Sequence, residues 1–422
     1  MLSTQHNETI TRVGPSTHMG EVLRRYWIPV LLDWELPAPD CDPIRLKILG
    51  ESLVAFKDTS GRIGILADAC PHRRVSLYFG RNEENGLRCV YHGWKFDVEG
   101  KCLDMPSEPA TSNFKDKVRT PAYPTVEAGH IIWAYFGPKE KIPPAPNFEW
   151  TTVPDTHRGV SKVLQESNWL QAVEGGIDTS HSSFLHNNDL SDKTLLRSRS
   201  TAPIVEVELT DYGYAYSSQR LLPEDETKYV RTYHYVMPFH QLRGNQVRNS
   251  GGYYMPKSAG HCWVPIDDET TMVFNWTYTW GDEPLNEADR ALRGTGNEMH
   301  ADIDPADGFR SRRNRDNDWM LDREMQRTKN FTGIVGVNTQ DRALQVTMGA
   351  IADRSLEKLG TTDRAIIAAR KLLLQATATV ADGGDPPGSR DEYYGIRAID
   401  RVMAIDEPWQ SLKPEMYPVG AH

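Results

Sequence analysis

The chain has 422 residues, 39% hydrophobic and 25% charged, a balance that excludes disorder and predicts a folded protein of two domains. With 48 basic against 58 acidic residues the formal charge is -10, which argues against nucleic acid or an anionic membrane as partner. Five cysteines, an odd count, argue against a disulfide framework.

The first residues, Met1 to Glu8, show no basic region followed by an apolar run. The most apolar segment, Ile131-Ile132-Trp133-Ala134-Tyr135-Phe136, has only the length of a strand. The expectation is a cytoplasmic protein without a signal peptide or a membrane span. Residues 17 to 26 predict a short capped helix leading into Trp27-Ile28-Pro29-Val30. From there to about residue 140, short β-branched or alternating runs predict a small all-β domain: Ile44 to Leu49, Leu53 to Lys57, Ile63 to Ala67, Gly86 to Tyr91 and Thr125 to Phe136.

Two loops in that domain carry chemistry. Cys70-Pro71-His72 and Cys89-Val90-Tyr91-His92, with residues 73 to 88 between them, each offer one soft thiolate and one imidazole. That is the ligand set of a two-iron, two-sulfide cluster with histidines on one iron, Cys70 and Cys89 holding the inner iron and His72 and His92 the outer one. Neutral imidazoles leave less negative charge on the cluster and raise its potential. A structural zinc site is the competing reading, but zinc fingers usually pair Cys with Cys and His with His along the chain. Four unconnected core residues are a poorer account, since Pro71, Gly93 and Trp94 are loop and lid residues around a site. Cys41, Cys102 and Cys262 then read as ordinary thiols. At these residues the sequence resembles the Rieske proteins.

Proline and glycine gather at Gly137-Pro138, Pro143-Pro144, Pro146 and Pro154, and mark a domain boundary. The expected division is a cluster domain over 25–145 and a second domain over 1–24 and 146–422. In the second, Asp178-Thr179-Ser180-His181 and Ser182 to His186 follow Asn168-Trp169. On an ideal helix Asp178 and His181 lie about 60° apart and His181 and His186 about 140° apart, so an unbroken helix could not aim both imidazoles at one ion. A helix that ends or distorts there could. The chain supplies a carboxylate candidate in Asp341, which could equally be a helix N-cap. Two histidines and one carboxylate on one face of iron leave open positions for dioxygen.

Longer strand-like runs follow, Ile204 to Leu209, Gly213 to Arg220, Tyr229 to Met237 and Met272 to Trp280, enough for an antiparallel sheet that floors a pocket. Residues 284 to 330 are polar, and the run Arg310 to Arg315 reads as a solvated loop or as a docking surface for an electron donor. Residues 361 to 381 predict a helix with Ile366, Ala369, Leu373, Ala376 and Val380 on one stripe, ending at Gly383-Gly384.

The wording Glu174-Gly175-Gly176-Ile177-Asp178-Thr179-Ser180-His181, continuing to His186, is similar to the phthalate 4,5-dioxygenase group of Rieske non-haem iron ring-hydroxylating oxygenases. So are Tyr91 to Asp97, Asp104 to Pro109, Asn314 to Asp318, Gln340-Asp341, Met348-Gly349 and Asp353-Arg354. The resemblance runs from about residue 13 to about residue 380. It implies an α+β fold: a small all-β Rieske domain plus a catalytic domain with a long antiparallel sheet covered by helices, of helix-grip type. It implies a [2Fe-2S] Rieske cluster on Cys70, His72, Cys89 and His92, and mononuclear Fe(II) on His181, His186 and Asp341. It implies homotrimers or stacked trimers in which one subunit's cluster serves its neighbour's iron, with Asp178 bridging the two, and Asn168 near the iron orienting water or substrate. Asp178 and Asn168 could instead be helix caps.

The implied reaction is dioxygenation of an aromatic carboxylate, phthalate- or benzoate-like, with electrons from a reductase. Candidate arginines for the carboxylate are Arg231, Arg243 and Arg248, each otherwise a surface residue, with Tyr233, His234 and Phe239 either lining the same cavity or in the core. No Gly-x-Gly-x-x-Gly follows a strand, so a separate flavin and iron–sulfur reductase is expected. A monooxygenase or O-demethylase on the same scaffold, a pure electron-transfer protein and a zinc-stabilised module are the alternatives.

Overall fold

The structure, a computed structural model, describes residues 2–248, 250–290 and 303–418. The chain divides into two compact units, Val13–Ala145 and Met1–Arg12 with Pro146–His422. Residues 13 to 24, expected with the C-terminal unit, belong to the first. There the helix His18–Leu23 is capped by the Thr17 side chain, and Arg24 donates to Glu51 at 2.6 Å.

The first unit is built from three small antiparallel sheets, and its ligand loops are the tips of two of the connections between strands. The run predicted as one strand over 125–136 is a hairpin of Thr125–Ala128 and Ile131–Tyr135, turned by Gly129 and His130 in the left-handed region. The run predicted over 86–91 leaves its ladder after Arg88, where Cys89 opens the second loop. Val54, Phe56, Leu66, Leu77, Leu87 and Phe96 form the core under both cysteines.

In the second unit the strands run in the order 158–165, 271–279, 257–265, 240–244, 227–236, 213–222, 204–210, all antiparallel, and 400–404 pairs beside the first half of 227–236. Because side chains alternate, each strand presents one set of residues to each face. Register then carries one face across the sheet: Tyr233 sits opposite Arg243, Gln241 opposite His261, and His261 opposite Asn275. The helix Trp169–Ile177 packs on 257–265 and 240–244. The helix Arg364–Ala381 packs on 204–210 and 213–222 through the predicted stripe, which is buried from Ile366 to Val380. It starts later than predicted because 361–363 form a single 3-10 turn.

A buried ion-pair network ties these pieces together. Glu174 accepts from Arg354 (3.0 Å) and Arg370 (2.6 Å), and Arg370 also meets Glu357 (2.7 Å). Of the arginine run, Arg310 and Arg315 both grip Glu166, at 3.2 and 2.9 Å. Residues 291–302 of the expected polar loop lie outside the described residues. Among the described residues no helix is long and apolar enough to cross a membrane.

Candidate metal centres

The two loops of the first unit repeat one hydrogen-bond pattern. Cys70 O accepts from Arg74 N and Cys70 N donates to Val75 O; Cys89 O accepts from Gly93 N and Cys89 N donates to Trp94 O, all at 2.8 to 2.9 Å. The second turn needs Gly93, whose φ is +78° and whose position would place a Cβ 2.5 Å from Pro106. The pattern buries both cysteines and leaves His72 exposed and His92 partly exposed. The two imidazoles meet edge to face at 4.4 Å, with His72 stacked on Trp94. Burial, with the Cys89 thiol beside it, pushes Cys70 up to about 11. Two thiols crowded in an apolar floor under two accessible imidazoles fit a cluster with an inner thiolate iron and an outer imidazole iron.

In the second unit the 169–177 helix ends before Asp178, which meets the demand for a break ahead of the histidines. Asp178 Oδ1 accepts from Ser180 N and Oγ, both at 2.8 Å, and its Oδ2 faces His181 Nδ1 at 3.1 Å. The buried Arg220 holds the next turn, donating to Thr179 O and Ser183 Oγ. Asp341 is the fifth residue of the helix Val337–Val346 and not its N-cap, which is Gly336. Gly175 and Gly176 let that helix and the sheet come close: a Cβ would meet Gln345 at 1.9 Å from the first and Trp263 at 2.1 Å from the second.

The result is a convergence of three acceptors. His181 Nε2 and His186 Nε2 are 3.1 Å apart, and Asp341 Oδ1 lies 3.5 and 3.2 Å from them. Among the described residues, Asp341 Oδ1 is buried without a hydrogen-bond partner. Burial raises the Asp341 carboxyl, but His186 and His181 outweigh it and hold it at about 2. Three potential ligand atoms, two imidazole nitrogens and one carboxylate oxygen, converge on one point and fit a cation, and two imidazoles with one carboxylate are the donor set of non-haem Fe(II).

A cavity of about 450 Å³ opens on this site. Its walls take the odd-numbered face of the sheet: Arg231 and Tyr233, Arg243, His261, Trp263 and Asn275. Arg248, an exposed residue, lies at the same cavity, and Arg197 joins it from a short helix that the sequence did not single out. Among the described residues neither Arg197 nor Arg243 has an ion-pair partner; burial, then the charge of Arg231, pulls Arg243 down to about 10 and lowers Arg197 as well. His234 and Phe239 do not line it. His234 is on the other face, bonded to Tyr212 and to Arg397 O, both at 2.7 Å. Asn168 is a correction too: it is the N-cap of the 169–177 helix, bonded to Leu170 N, Thr11 O and Asp268 O, fully buried and away from the cavity.

A cluster-type loop pair and a separate two-histidine, one-carboxylate site in one chain define the class of Rieske non-haem iron oxygenases. The family described as Rieske [2Fe-2S] domain matches residues 26–122, and that described as LigXa C-terminal domain like matches residues 134–418. The chain is 39% identical to the 3-chlorobenzoate-3,4-dioxygenase oxygenase subunit of Comamonas testosteroni, over 97% of this chain and 98% of that one. It is 38% identical to the phthalate 4,5-dioxygenase oxygenase subunit of Pseudomonas putida, over 97% and 94%. The solved structure of Pseudomonas putida CBB5 NdmA, 19% identical, gives a TM-score of 0.62 over 92% of this chain and 99% of that one, a likeness of fold alone. The chain belongs to the phthalate 4,5-dioxygenase-like group of Rieske oxygenases, and its cofactors are a [2Fe-2S] Rieske cluster and a mononuclear non-haem iron.

Proposed function

We propose that this chain is the oxygenase component of a ring-hydroxylating dioxygenase for an aromatic carboxylate, with the cluster on Cys70, His72, Cys89 and His92 and the catalytic iron on His181, His186 and Asp341. When bound, the cluster supplies single electrons and the ferrous iron activates O2. The observation that carries the reading is the meeting of Asp341 Oδ1 with two imidazole Nε2 atoms at the floor of a cavity with uncompensated arginines.

A carboxylate entering a water-poor cavity needs a charged donor, since an unpaired anion there is costly. Arg243 and Arg197 supply it as forks, and Arg231, which also lines the cavity, donates its Nε–H to Gly244 O at 2.6 Å and adds positive field. Tyr233 and Trp263 supply flat apolar walls for a ring. Arg248 sits at the exposed mouth, stacked towards Tyr254, and is the weakest candidate of the four. Asp178 keeps His181 in its Nδ1–H form, and in a homotrimer it would also accept from a cluster histidine of the neighbouring subunit. Electrons come from a separate flavin and iron–sulfur reductase, and the compartment is the cytoplasm, where the free cysteines stay reduced.

The test is turnover of a panel of benzoates, phthalates and aryl ethers with a surrogate reductase, products being identified. Cis-dihydrodiols from a carboxylated ring are the expected result. Products only of monooxygenation or demethylation, or turnover confined to uncharged rings, would contradict it.

A further inference from the structure

Each imidazole of the three-acceptor site turns Nε2 to the centre, so each must carry its proton on Nδ1 to leave a lone pair for metal. The two Nδ1 atoms have unlike partners. His181 has the Asp178 carboxylate at 3.1 Å, and His186 has the side-chain amide of Gln340 at 2.9 Å. A carboxylate can only accept, but an amide offers a donor end and an acceptor end, and only one of them favours the metal-binding tautomer.

The neighbours of Gln340 decide which end is which. One amide atom lies 2.9 Å from the backbone oxygen of Ile334, an obligate acceptor, and 2.9 Å from the Asn188 side chain. That atom is therefore Nε2. The other is Oε1, so His186 Nδ1 must donate to it. Ile334 O is itself fixed, since Asn330 Nδ2 also donates to it (3.2 Å) while Asn330 Oδ1 accepts from Gly333 N (2.6 Å). Gln340 is fully buried, which keeps water from competing for the amide.

We propose that Gln340 is a positioning residue of the mononuclear iron site: it takes its direction from the Ile334 carbonyl and locks His186 in the Nδ1–H tautomer with Nε2 aimed at the metal. This rests on the ligand assignment above. Gln340 and Asp341 are successive residues of the 337–346 helix, so one helical turn delivers a ligand and braces another. The two imidazoles are then unequal donors, His181 strengthened by a carboxylate and His186 held by a neutral amide.

Copper(II) loaded into the mononuclear site of the holoprotein, with the cluster oxidised, is the probe. Pulsed EPR then reads the remote imidazole nitrogens, whose couplings follow their hydrogen bonds. Two distinct remote-nitrogen classes are expected in the wild type, one altered by Q340M and the other by D178N. The ferrous dissociation constant of Q340M should rise on the order of 10–100-fold, with cluster iron and sulfide retained. A single class in the wild type overturns the proposal even if Q340M does not fold, and so does a Q340M protein with wild-type couplings and iron affinity. H186A separates the two levels: if it keeps its metal, the ligand assignment is wrong, whereas loss of metal in H186A beside an unchanged Q340M removes only the role of Gln340.

Discussion

Asp178 has both carboxylate oxygens committed within its own turn, to Ser180 on one side and to His181 on the other. Replacing it with asparagine removes the charge behind His181 and leaves a group of the same shape. Asp178→Asn should retain both metals yet deliver the electron to the catalytic iron on the order of 10-fold or more slowly. Normal single-turnover rates in that variant would refute the role. The arginines make a second prediction at this scale. Truncating one partner of a buried charge pair costs about 2–5 kcal/mol, so Arg243→Met and Arg197→Met should each raise KM for a carboxylated substrate by about 30-fold or more, with metal content unchanged. An unchanged KM in both would move the carboxylate elsewhere.

At the scale of elements, the site depends on how closely the 169–177 helix approaches the sheet. Gly176→Ala drives a methyl into the Trp263 ring at 2.1 Å, an overpacking that should cost about 1–3 kcal/mol and displace Asp178 and His181. The expected readout is a lowered thermal midpoint and a loss of mononuclear iron with the cluster spectrum intact; wild-type iron content would show that the helix has room to move. Glu174, on the same helix, anchors Arg354 and Arg370, and Glu174→Ala should destabilise the second unit by about 3–5 kcal/mol, since it leaves the buried Arg354 guanidinium without a carboxylate while Arg370 keeps only Glu357. Cys70, His72, Cys89 and His92 were legible in the sequence because a ligand spacing is local. His181, His186 and Asp341 could be named as candidates from the sequence but assigned as one site only with the help of resemblance, because the chain that joins them is long and Asp341 alone looks like a cap. Strand 257–265 was not legible: its nine residues, Lys257 to Pro265, are all buried, so no polar alternation marks it. Arg197 and Gln340 were missed because a cavity wall and an amide's orientation are set by partners far away in sequence.

For the molecule as a whole, acid sensitivity should come partly from histidines outside the metal sites. Burial holds His234 at about 4 and His240 at about 3, below the ordinary value of about 6.5 for an unfolded chain. As pH falls from about 6.5, the unfolded chain takes up these protons first, so the stability they contribute is present at neutral pH and is lost on acidification. Between pH 6.5 and 5 each should lower stability by about 1.6 kcal/mol, and His234→Gln should remove about that much from the acid-induced fall in stability over this range. An unchanged slope in that variant would assign the acid response to other groups.

The central claim is that one chain holds an electron-storing cluster and a separate catalytic iron. Iron and acid-labile sulfide, measured per chain after anaerobic reconstitution with ferrous salt, test it most directly. The account predicts about three irons and two sulfides in the wild type, falling to about two irons and two sulfides in His181→Ala. Only two irons in the reconstituted wild type, or loss of sulfide in His181→Ala, would contradict it.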